Sequence, residues 1–480
     1  MENAKEMTAE KEFQEFKMKL DIIPEMKYII EKAPEGDRVT RFLEIFAVIL
    51  KHSNYRPALE QFIKVSAKCS KCNAACHIYQ VTEDPKDIPC YRSELLLSIY
   101  RRYFSYEGSL YTRFFGGFEL TEEHIDEMAE SYWKCTACRK CVLECPMGID
   151  HGMVTHLARY IMAEMDIAPR ALIISTREQL EGKTRNTSAI PWIGMADSIE
   201  FLEEEIEEMH GVKVKFPIDV EGAEYIFFSP VSDWLMEAET LMGIACAMHA
   251  AGVSWTLSSK FNDGINYGLF YSDLVLGRNL RFIEEETRRL KAKKVLIGEC
   301  GHASRSATFL NTYWTGDDCP PVINILELTA EHVKNGNIKL DPTVIKERVT
   351  YHDPCNLARQ DWVVEQPREI IRAFCKDFVE MTPKGNEQYC CGGGGGTVSI
   401  DEIRKYRTAV GGRVKAKQIV DTGAHYVIAP CANCKKQFKE LIEDNKVDAE
   451  LVGLHDLILK AILFKENDFK LFVEDEPTDA

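Results

Sequence analysis

Five cysteines in the C-terminal part of the chain stand where they could hold a metal centre. They occur as Cys355, the adjacent pair Cys390 and Cys391, and the closely spaced Cys431 and Cys434. Two adjacent cysteines direct their thiolates away from one backbone point, which favours a multi-iron cluster over a single tetrahedral ion. Five glycines follow the pair, and because glycine lacks a Cβ, the backbone there can fold tightly around an inorganic core. The spacing predicts an unusual iron–sulfur cluster.

A second set of cysteines lies upstream and has the spacing of bacterial ferredoxins. Cys135, Cys138, Cys141 and Cys145, followed by Pro146, form the run C-x2-C-x2-C-x3-C-P. In such runs the first three cysteines bind one [4Fe–4S] cubane, and the fourth reaches over to a second cluster. The run therefore predicts two cubanes and requires a partner run.

The partner run is incomplete. It occurs at Cys69, Cys72 and Cys76, and the position of its first ligand holds Ser66. By the crossing rule, Cys76 completes the cubane of the second run, and Cys145 joins Cys69 and Cys72 in the first cubane. The first cubane then lacks one ligand.

Cys90 is the candidate for this missing ligand. It follows the partner run after a short loop, and soft thiolate is the ligand that iron–sulfur clusters select. Ligation by Ser66 and a three-iron cluster in place of the first cubane are the alternatives. A further alternative is that Cys90 is a buried cysteine that binds no metal.

The elements that position these cysteines divide the chain into six segments. We expect an N-terminal helical segment at 1–65, a helical ferredoxin-like domain at 66–165, a connector at 166–222, one α/β lobe at 223–345, a second at 346–465 and an acidic tail at 466–480. Within the ferredoxin-like domain, amphipathic stretches predict helices at 94–103 and 121–128. The fold class is thus α/β with a small α+β part.

The two lobes contain an internal repeat. Ser229-Pro-Val matches Asp353-Pro-Cys at an offset of 124 residues, and Gly298 to Ala303 matches Ala429 to Cys434 at an offset of 131 residues. Apolar runs at 224–228, 294–298, 348–351 and 425–429 predict buried strands. The two lobes are therefore predicted to be pseudo-symmetric.

The first lobe keeps little of the metal-binding pattern. Four of the five ligand positions hold other residues, namely Val231, Asn266, Tyr267 and Ala303, so this lobe is expected to bind no cluster. Cys300 remains, and we expect it at a strand end that faces the cleft between the lobes, where such sheets bind ligands. The alternative is a cysteine packed in the core. The nearby His302 would tune the pKa of the Cys300 thiol or cap the following helix.

Composition narrows the class of protein. A chain of 480 residues with 45% hydrophobic residues can bury two or three cores, and no apolar run is long enough to cross a membrane. The charged N-terminus lacks the apolar segment of a signal peptide. Seventeen cysteines then favour metal ligation in a reducing compartment, and the net charge of −17 disfavours a nucleic acid partner. We expect a cytoplasmic protein.

The C-terminal pattern resembles the cysteine-rich CCG domain of heterodisulfide reductase. With the ferredoxin run, the degenerate lobe and the intact lobe together, the chain resembles the D-type subunit of that enzyme and the K subunit of the sulfite-reduction-associated membrane complex. The resemblance rests on Cys300–Ala303, Tyr351–Cys355 and Cys390–Gly395. It implies a non-cubane [4Fe–4S] cluster that cleaves disulfides, bound by Cys355, Cys390, Cys391, Cys431 and Cys434.

The resemblance also implies a reaction and partners. Such subunits dock on a membrane b-type cytochrome, which places the protein at the inner face of the membrane, and they act on a disulfide or trisulfide of a small carrier protein or thiol cofactor. We expect one substrate sulfur to bind the cluster and the other to undergo thiol exchange with Cys300. The alternative is a non-catalytic subunit that relays electrons from a flavoprotein dehydrogenase toward quinone.

Overall fold

The computed structural model describes residues 16–359, 361–466 and 468, so the first fifteen residues and most of the expected acidic tail lie outside the described part. The chain has the expected mixed α/β composition: a helical N-terminal half is followed by two parallel sheets. Within these residues, no helix combines the length and apolar character needed to cross a bilayer.

Helices build the N-terminal half. They are α1 (Arg38–His52), α2 (Tyr55–Val65), α3 (Tyr79–Thr82), α4 (Pro89–Tyr103), α5 (Tyr106–Phe115), α6 (Glu122–Lys134), α7 (Lys140–Leu143), α8 (His151–Glu164), α9 (Arg170–Glu181) and α10 (Trp192–His210). Helix α1 begins where the Asp37 carboxylate accepts the amides of Val39 and Thr40 at 3.0 and 3.2 Å. The helices predicted at 94–103 and 121–128 are confirmed within α4 and α6.

The first sheet has four parallel strands in the order β2-β1-β3-β4. The strands are β1 (Tyr225–Phe228), β2 (Trp255–Thr256), β3 (Lys294–Ile297) and β4 (Val322–Asn324). The accompanying helices are α11 (Asp233–Met236), α12 (Ala238–Ala251), α13 (Gly268–Tyr271), α14 (Asp273–Arg289), α15 (Gly301–Ala307), α16 (Leu310–Tyr313) and α17 (Ile325–Lys334). Every side chain of β1 is buried, which explains its unbroken apolar sequence.

The second sheet again has four parallel strands, in the order β7-β6-β8-β9. They are β6 (Val349–Tyr351), β7 (Phe378–Glu380), β8 (Tyr426–Ile428) and β9 (Glu450–Val452), and a separate antiparallel pair joins β5 (Lys339–Leu340) to β10 (Ile462–Leu463). The helices are α18 (Cys355–Ala358), α19 (Glu365–Phe374), α20 (Arg404–Tyr406), α21 (Arg413–Thr422), α22 (Ala432–Asn445) and α23 (Leu454–Ala461). The four predicted strands are confirmed at β1, β3, β6 and β8.

The two sheets meet at their carboxyl edges. Helix α15, which follows β3, packs against α18, which follows β6. The contact is close, since a Cβ added to Gly301 would lie 3.2 Å from Pro354 Cβ. Helices α12 and α23 cross nearby, where Gly243 leaves no room for a Cβ beside the His455 carbonyl. The residues that follow β3, β6 and β8 are therefore brought to one place, where such sheets bind ligands.

Candidate metal centres

The two upstream cysteine runs lie in loops of the same conformation. Ser66 directly follows helix α2 and Cys135 directly follows helix α6, each in an extended conformation. Each loop then has two residues in the left-handed region, at Lys68 (φ 48°), Ser70 (φ 59°), Ala137 (φ 52°) and Arg139 (φ 60°). Left-handed residues turn the chain sharply, so that closely spaced thiols converge. Ser66 thus occupies the place that Cys135 holds in the second loop.

Four cysteines line one cavity between these loops: Cys76, Cys135, Cys138 and Cys141. This is the combination that the crossing rule predicts for the second cubane. The buried Arg92 lines the same cavity, and its guanidinium donates to the Ser131 carbonyl at 2.9 Å. A buried cation beside four thiols suits a negatively charged cluster, so the donor set fits a cubane.

Cys90 lies beside the partner run. It is in the first turn of α4, where its thiol is in hydrogen-bonding contact with the thiol of Cys72 and lies 3.8 Å from Ser70 Oγ. The contact with Cys72 lowers the pKa of Cys90, which favours the thiolate that metal ligation needs. Cys69 is exposed, and the half-buried Cys145 accepts the Ile149 amide at 3.4 Å. The assignment of this first cubane stays a prediction.

The C-terminal cysteines lie at the carboxyl edge of the second sheet. Cys355 opens α18 after β6, the pair Cys390 and Cys391 follows β7, Cys431 precedes α22, and Cys434 is in the first turn of that helix. Their side chains are between 1% and 8% exposed. Separate strands therefore deliver the five thiols to one buried place.

The five thiols form one continuous group. Cys390 is in hydrogen-bonding contact with Cys355 and Cys391. Cys391 lies 3.4 Å from Cys434, sulfur to sulfur, and Cys434 contacts Cys431. A compact set of five soft donors from three loops fits a multi-iron cluster better than a single ion.

The upstream and C-terminal groups touch each other. The Cys390 thiol contacts the thiol of Cys138 as well as its own neighbours. The glycine run makes this approach possible, because a Cβ added to Gly394 would lie 2.4 Å from Thr136 O, and one added to Gly395 would lie 2.8 Å from Cys135 O. Glycine is required here for close backbone contact between the two domains.

Two buried arginines hold this junction together. Arg159 donates to Gly395 O at 2.9 Å, to Tyr132 O at 2.8 Å, and also to Cys135 O. Arg359 donates to Cys138 O at 3.0 Å and to Gln388 O at 3.1 Å. Each guanidinium spans both domains through charge-assisted hydrogen bonds, which are stronger than neutral ones.

Cys300 adjoins the C-terminal group. It caps α15, its side chain is fully buried, and its thiol is in hydrogen-bonding contact with Cys431. Burial and this contact raise the pKa of Cys300 well above its ordinary value, so the resting group is a thiol.

The His302 ring is held in place by two asparagines. Its Nε2 lies 2.7 Å from Asn266 O, and Asn433 Nδ2 lies 3.3 Å from its Nδ1. Burial lowers the pKa of His302 to about 4, so the ring is neutral. The backbone amide of His302 donates to the sulfur of Cys431. His302 thus positions Cys431 and Asn433, and its ring nitrogens are engaged away from the Cys300 thiol.

Two groups beside the C-terminal cysteines lack ordinary partners. The ammonium of Lys415 is fully buried, contacts Met381 Sδ at 3.7 Å, and has no carboxylate partner within the described part of the chain. Burial lowers the pKa of Lys415 to about 8, while the charge of Asp353 and, to a smaller extent, those of Cys391 and Cys390 counteract this effect. The ring nitrogens of buried His352 have no hydrogen-bond partner. A negatively charged cluster would balance the charge of Lys415 and could accept a hydrogen bond from His352. The surroundings of the five cysteines therefore fit such a cluster.

Sequence reasoning missed the residues that support these centres. His352 stood within the motif Tyr351–Cys355, but nothing in the sequence indicated that its ring is left without a partner. Arg159, Arg359 and Lys415 carry no local signal, because each acts on residues far away in the chain. Their roles become visible only when the domains are assembled.

Comparisons with known proteins agree with both cysteine groups. A 4Fe-4S dicluster domain model matches residues 67–149, and a cysteine-rich domain model matches residues 349–439. These matches support iron–sulfur clusters at the upstream and C-terminal sites.

Several relatives are named as redox proteins. An Hdr-like menaquinol oxidoreductase iron-sulfur subunit of Archaeoglobus profundus is 28% identical over 449 residues, which cover 85% of this chain and 80% of the relative. The D-type subunit of dihydromethanophenazine:CoB--CoM heterodisulfide reductase from Methanosarcina mazei is 23% identical over 82% of this chain and 93% of its own. An EtfAB:quinone oxidoreductase of Syntrophomonas wolfei is 26% identical over 63% of this chain and 41% of its own. The domain matches and these relatives together show that the chain is similar to heterodisulfide reductase D-like iron–sulfur proteins.

Proposed function

We propose that this chain passes single electrons through two cubane clusters to a non-cubane [4Fe–4S] cluster, where a disulfide or trisulfide is reduced or formed. The proposed ligands are Cys69, Cys72, Cys90 and Cys145 for the first cubane, Cys76, Cys135, Cys138 and Cys141 for the second, and Cys355, Cys390, Cys391, Cys431 and Cys434 for the third cluster. The two α/β lobes would be an intact copy and a degenerate copy of one unit, since their sheets share one strand order. The domain boundaries proposed from the sequence accompany this assignment.

One observation carries the proposal: an unbroken line of thiols joins the two domains. It runs from Cys138 through Cys390, Cys391, Cys434 and Cys431 and ends at Cys300. Electron transfer between metal centres needs such proximity, whereas structural cysteines do not. Cys138 is half-buried, and the other thiols of the line are buried away from water.

Cys300 would handle one substrate sulfur. When bound, the third cluster would supply electrons singly and an iron able to hold a sulfur. Cys300 would first lose its proton and then, as a thiolate, attack one sulfur of the disulfide and form a mixed disulfide, and the departing substrate thiolate would take up that proton. Two electrons and two protons then restore the Cys300 thiol and release the second substrate thiol.

Asp233 is the proposed source of a proton. The residue is 1% exposed, and its Oδ1 has no hydrogen-bond partner within the described part of the chain. Burial raises the pKa of Asp233 well above its ordinary value, and the group interacts electrostatically with Cys300 and Cys431. A protonated acid close enough to interact electrostatically with these sulfurs would supply a proton to a departing thiolate.

The names of two relatives support a proposal for the partners of this chain. We propose that the chain works within a redox complex with a membrane b-type cytochrome subunit at the inner face of the membrane, since two of the relatives are named as menaquinol and dihydromethanophenazine enzymes. The substrate would be a small carrier protein or a thiol cofactor that forms a disulfide or trisulfide.

A relay without disulfide chemistry is the second candidate. The six thiols of the C-terminal site, with Cys300 included, are at most 8% exposed, and a relay needs no access for a substrate. The similarity to an EtfAB:quinone oxidoreductase also favours this candidate. In that case the chain would carry electrons between a flavoprotein and quinone.

Substitution of Cys300 separates the candidates. Anaerobic protein is reduced with a viologen dye and given 2-hydroxyethyl disulfide, and thiol release is measured for the wild type, Cys300→Ala and the control Cys246→Ala. Cys246 is a fully buried cysteine on α12, in the core beside the first sheet. We expect Cys300→Ala to keep full iron and lose most turnover, while Cys246→Ala keeps both.

The other outcomes are equally informative. A wild type that releases no thiol would be an electron relay. Loss of iron in Cys300→Ala would make Cys300 a sixth ligand. Unchanged turnover with only a modest loss of stability would make it a packing residue and refute the exchange step.

A further inference from the structure

His352 is a buried polar side chain without an ordinary partner. It follows β6, its backbone amide donates to Ile428 O at 2.9 Å, and the residue is 1% exposed. Both ring nitrogens lie in the interior, and neither has a hydrogen-bond partner among the residues that the structure describes. Buried imidazoles nearly always have their N–H satisfied, so this ring indicates a partner that is supplied by the bound cluster.

The sulfurs of two proposed ligands lie next to the ring. One nitrogen of His352, Cys391 Sγ and Cys434 Sγ all lie within 4.8 Å of one another. The ring of Phe438 covers His352, with the centroids 5.0 Å apart. The sulfurs of Cys391 and Cys434 are therefore close enough to be candidate acceptors for an N–H of the ring.

The charges around His352 favour a neutral ring. Burial is the largest effect and lowers the pKa of His352. The positive charges of Lys415 and Arg359 lower it further, whereas Asp353 and Cys431 raise it. Asp353 is already engaged, because its two oxygens accept from Arg368 at 2.9 and 2.8 Å. A neutral ring has one N–H and one lone pair, and a protonated ring has two N–H groups, so either form has a donor to offer.

Iron ligation by His352 is disfavoured by the same surroundings. A histidine that binds a metal almost always donates its other N–H to a carboxylate, a carbonyl or water. His352 has no such acceptor among the described residues, so ligation would leave its N–H buried and unpaired. Donation to a sulfur leaves only a lone pair without a partner, which is the smaller defect.

We propose that His352 donates an N–H hydrogen bond to a sulfur of the C-terminal cluster, at Cys391 or Cys434, and thereby raises the reduction potential of that cluster. The inference rests on the proposed function, since it requires these cysteines to hold the cluster. Reduction adds negative charge to the cluster, and a hydrogen bond to sulfur stabilises the charge-rich state.

The test compares His352→Leu with His352→Gln in the full-length anaerobic protein. Leucine removes the donor and glutamine keeps an N–H. His210→Leu is the control, since the Nε2 of His210 is also buried without a partner, but its ring packs against Phe464. Each variant is titrated with redox dyes, and the C-terminal cluster is followed by EPR. We expect a lower midpoint potential in His352→Leu, a potential closer to the wild type in His352→Gln, and no change in His210→Leu.

Pulsed EPR of wild-type protein labelled with 15N-histidine provides a second readout that needs no variant to fold. Weak coupling to one 15N and to an exchangeable deuteron would support the hydrogen bond. Strong coupling, as for the imidazole ligands of Rieske centres, would show iron ligation and overturn the proposal. No coupling, or equal potentials in all variants, would also overturn it. A wild type without the C-terminal cluster signal would refute the proposed function and this inference together, whereas an intact signal with no coupling would refute the inference alone.

Discussion

Replacing Gly395 by alanine adds one methyl group at the junction between the two domains. Gly395 has φ +66°, and its new Cβ would lie 2.8 Å from Cys135 O and 2.9 Å from the Thr136 carbonyl carbon. These are backbone atoms of the upstream cysteine loop, so they cannot move aside by changing a rotamer. The substitution should therefore push the loop of Cys390 away from the loop of Cys138.

Gly395→Ala should lower the free energy of unfolding for two reasons. Alanine in the left-handed region costs about 1–2 kcal/mol. Overpacking of a close contact costs about 1–3 kcal/mol more. Gly211 offers a matched control, because it also has φ +66° but would place its Cβ with nothing within 4 Å. Gly211→Ala should incur only the first of these costs, so the difference between the variants isolates the packing at the junction.

Two measurements check this reasoning. Anaerobic guanidinium unfolding, followed by far-UV circular dichroism, should show a larger loss of stability for Gly395→Ala than for Gly211→Ala. Rapid mixing with a reduced dye should show slower reduction of the C-terminal cluster in Gly395→Ala alone, since that variant separates Cys138 from Cys390. Equal stabilities of the two variants, together with unchanged reduction, would refute the claim that the glycine run brings the domains into contact.

Two further predictions concern the clusters. The anaerobic wild type should contain about 12 iron atoms, from two cubanes and one non-cubane cluster of four irons each, as measured by colorimetric iron analysis. A three-iron first cluster would lower this to about 11, and a content near 8 would refute the C-terminal cluster. Cys90→Ala should disturb one cubane signal in EPR, since the Cys90 thiol contacts Cys72. Cys246→Ala, a buried cysteine outside both groups, should leave every signal intact, and unchanged signals in Cys90→Ala would point to Ser66 or another ligand.

The spacing of cysteines along the chain was sufficient to predict much of the candidate metal-binding chemistry. Thiolates at intervals of two or three residues can converge on one cluster whatever surrounds them, so the run from Cys135 to Cys145 predicted a cubane site. Buried parallel strands are apolar along their whole length, so their runs were recognisable as well. The edge strands β4, β7 and β9 escaped prediction because they are only partly buried and so lack an unbroken apolar run, and β2 escaped because it has only two residues.

The relations between distant residues came from the assembled domains alone. Segments far apart in the chain are joined by the contact of Cys138 with Cys390 and by the hydrogen bond from Arg159 to Gly395 O. The burial of the His352 ring without a partner among the described residues likewise depends on packing between distant segments. Spacing along the chain determines only how residues close in sequence lie relative to one another. Contacts between distant segments depend instead on how whole helices and sheets pack. Cys300 illustrates what the sequence and the tertiary structure each determine. The internal repeat in the sequence predicted that it is the counterpart of Cys431, but only the packing of the two sheet edges against each other brings the two thiols into contact.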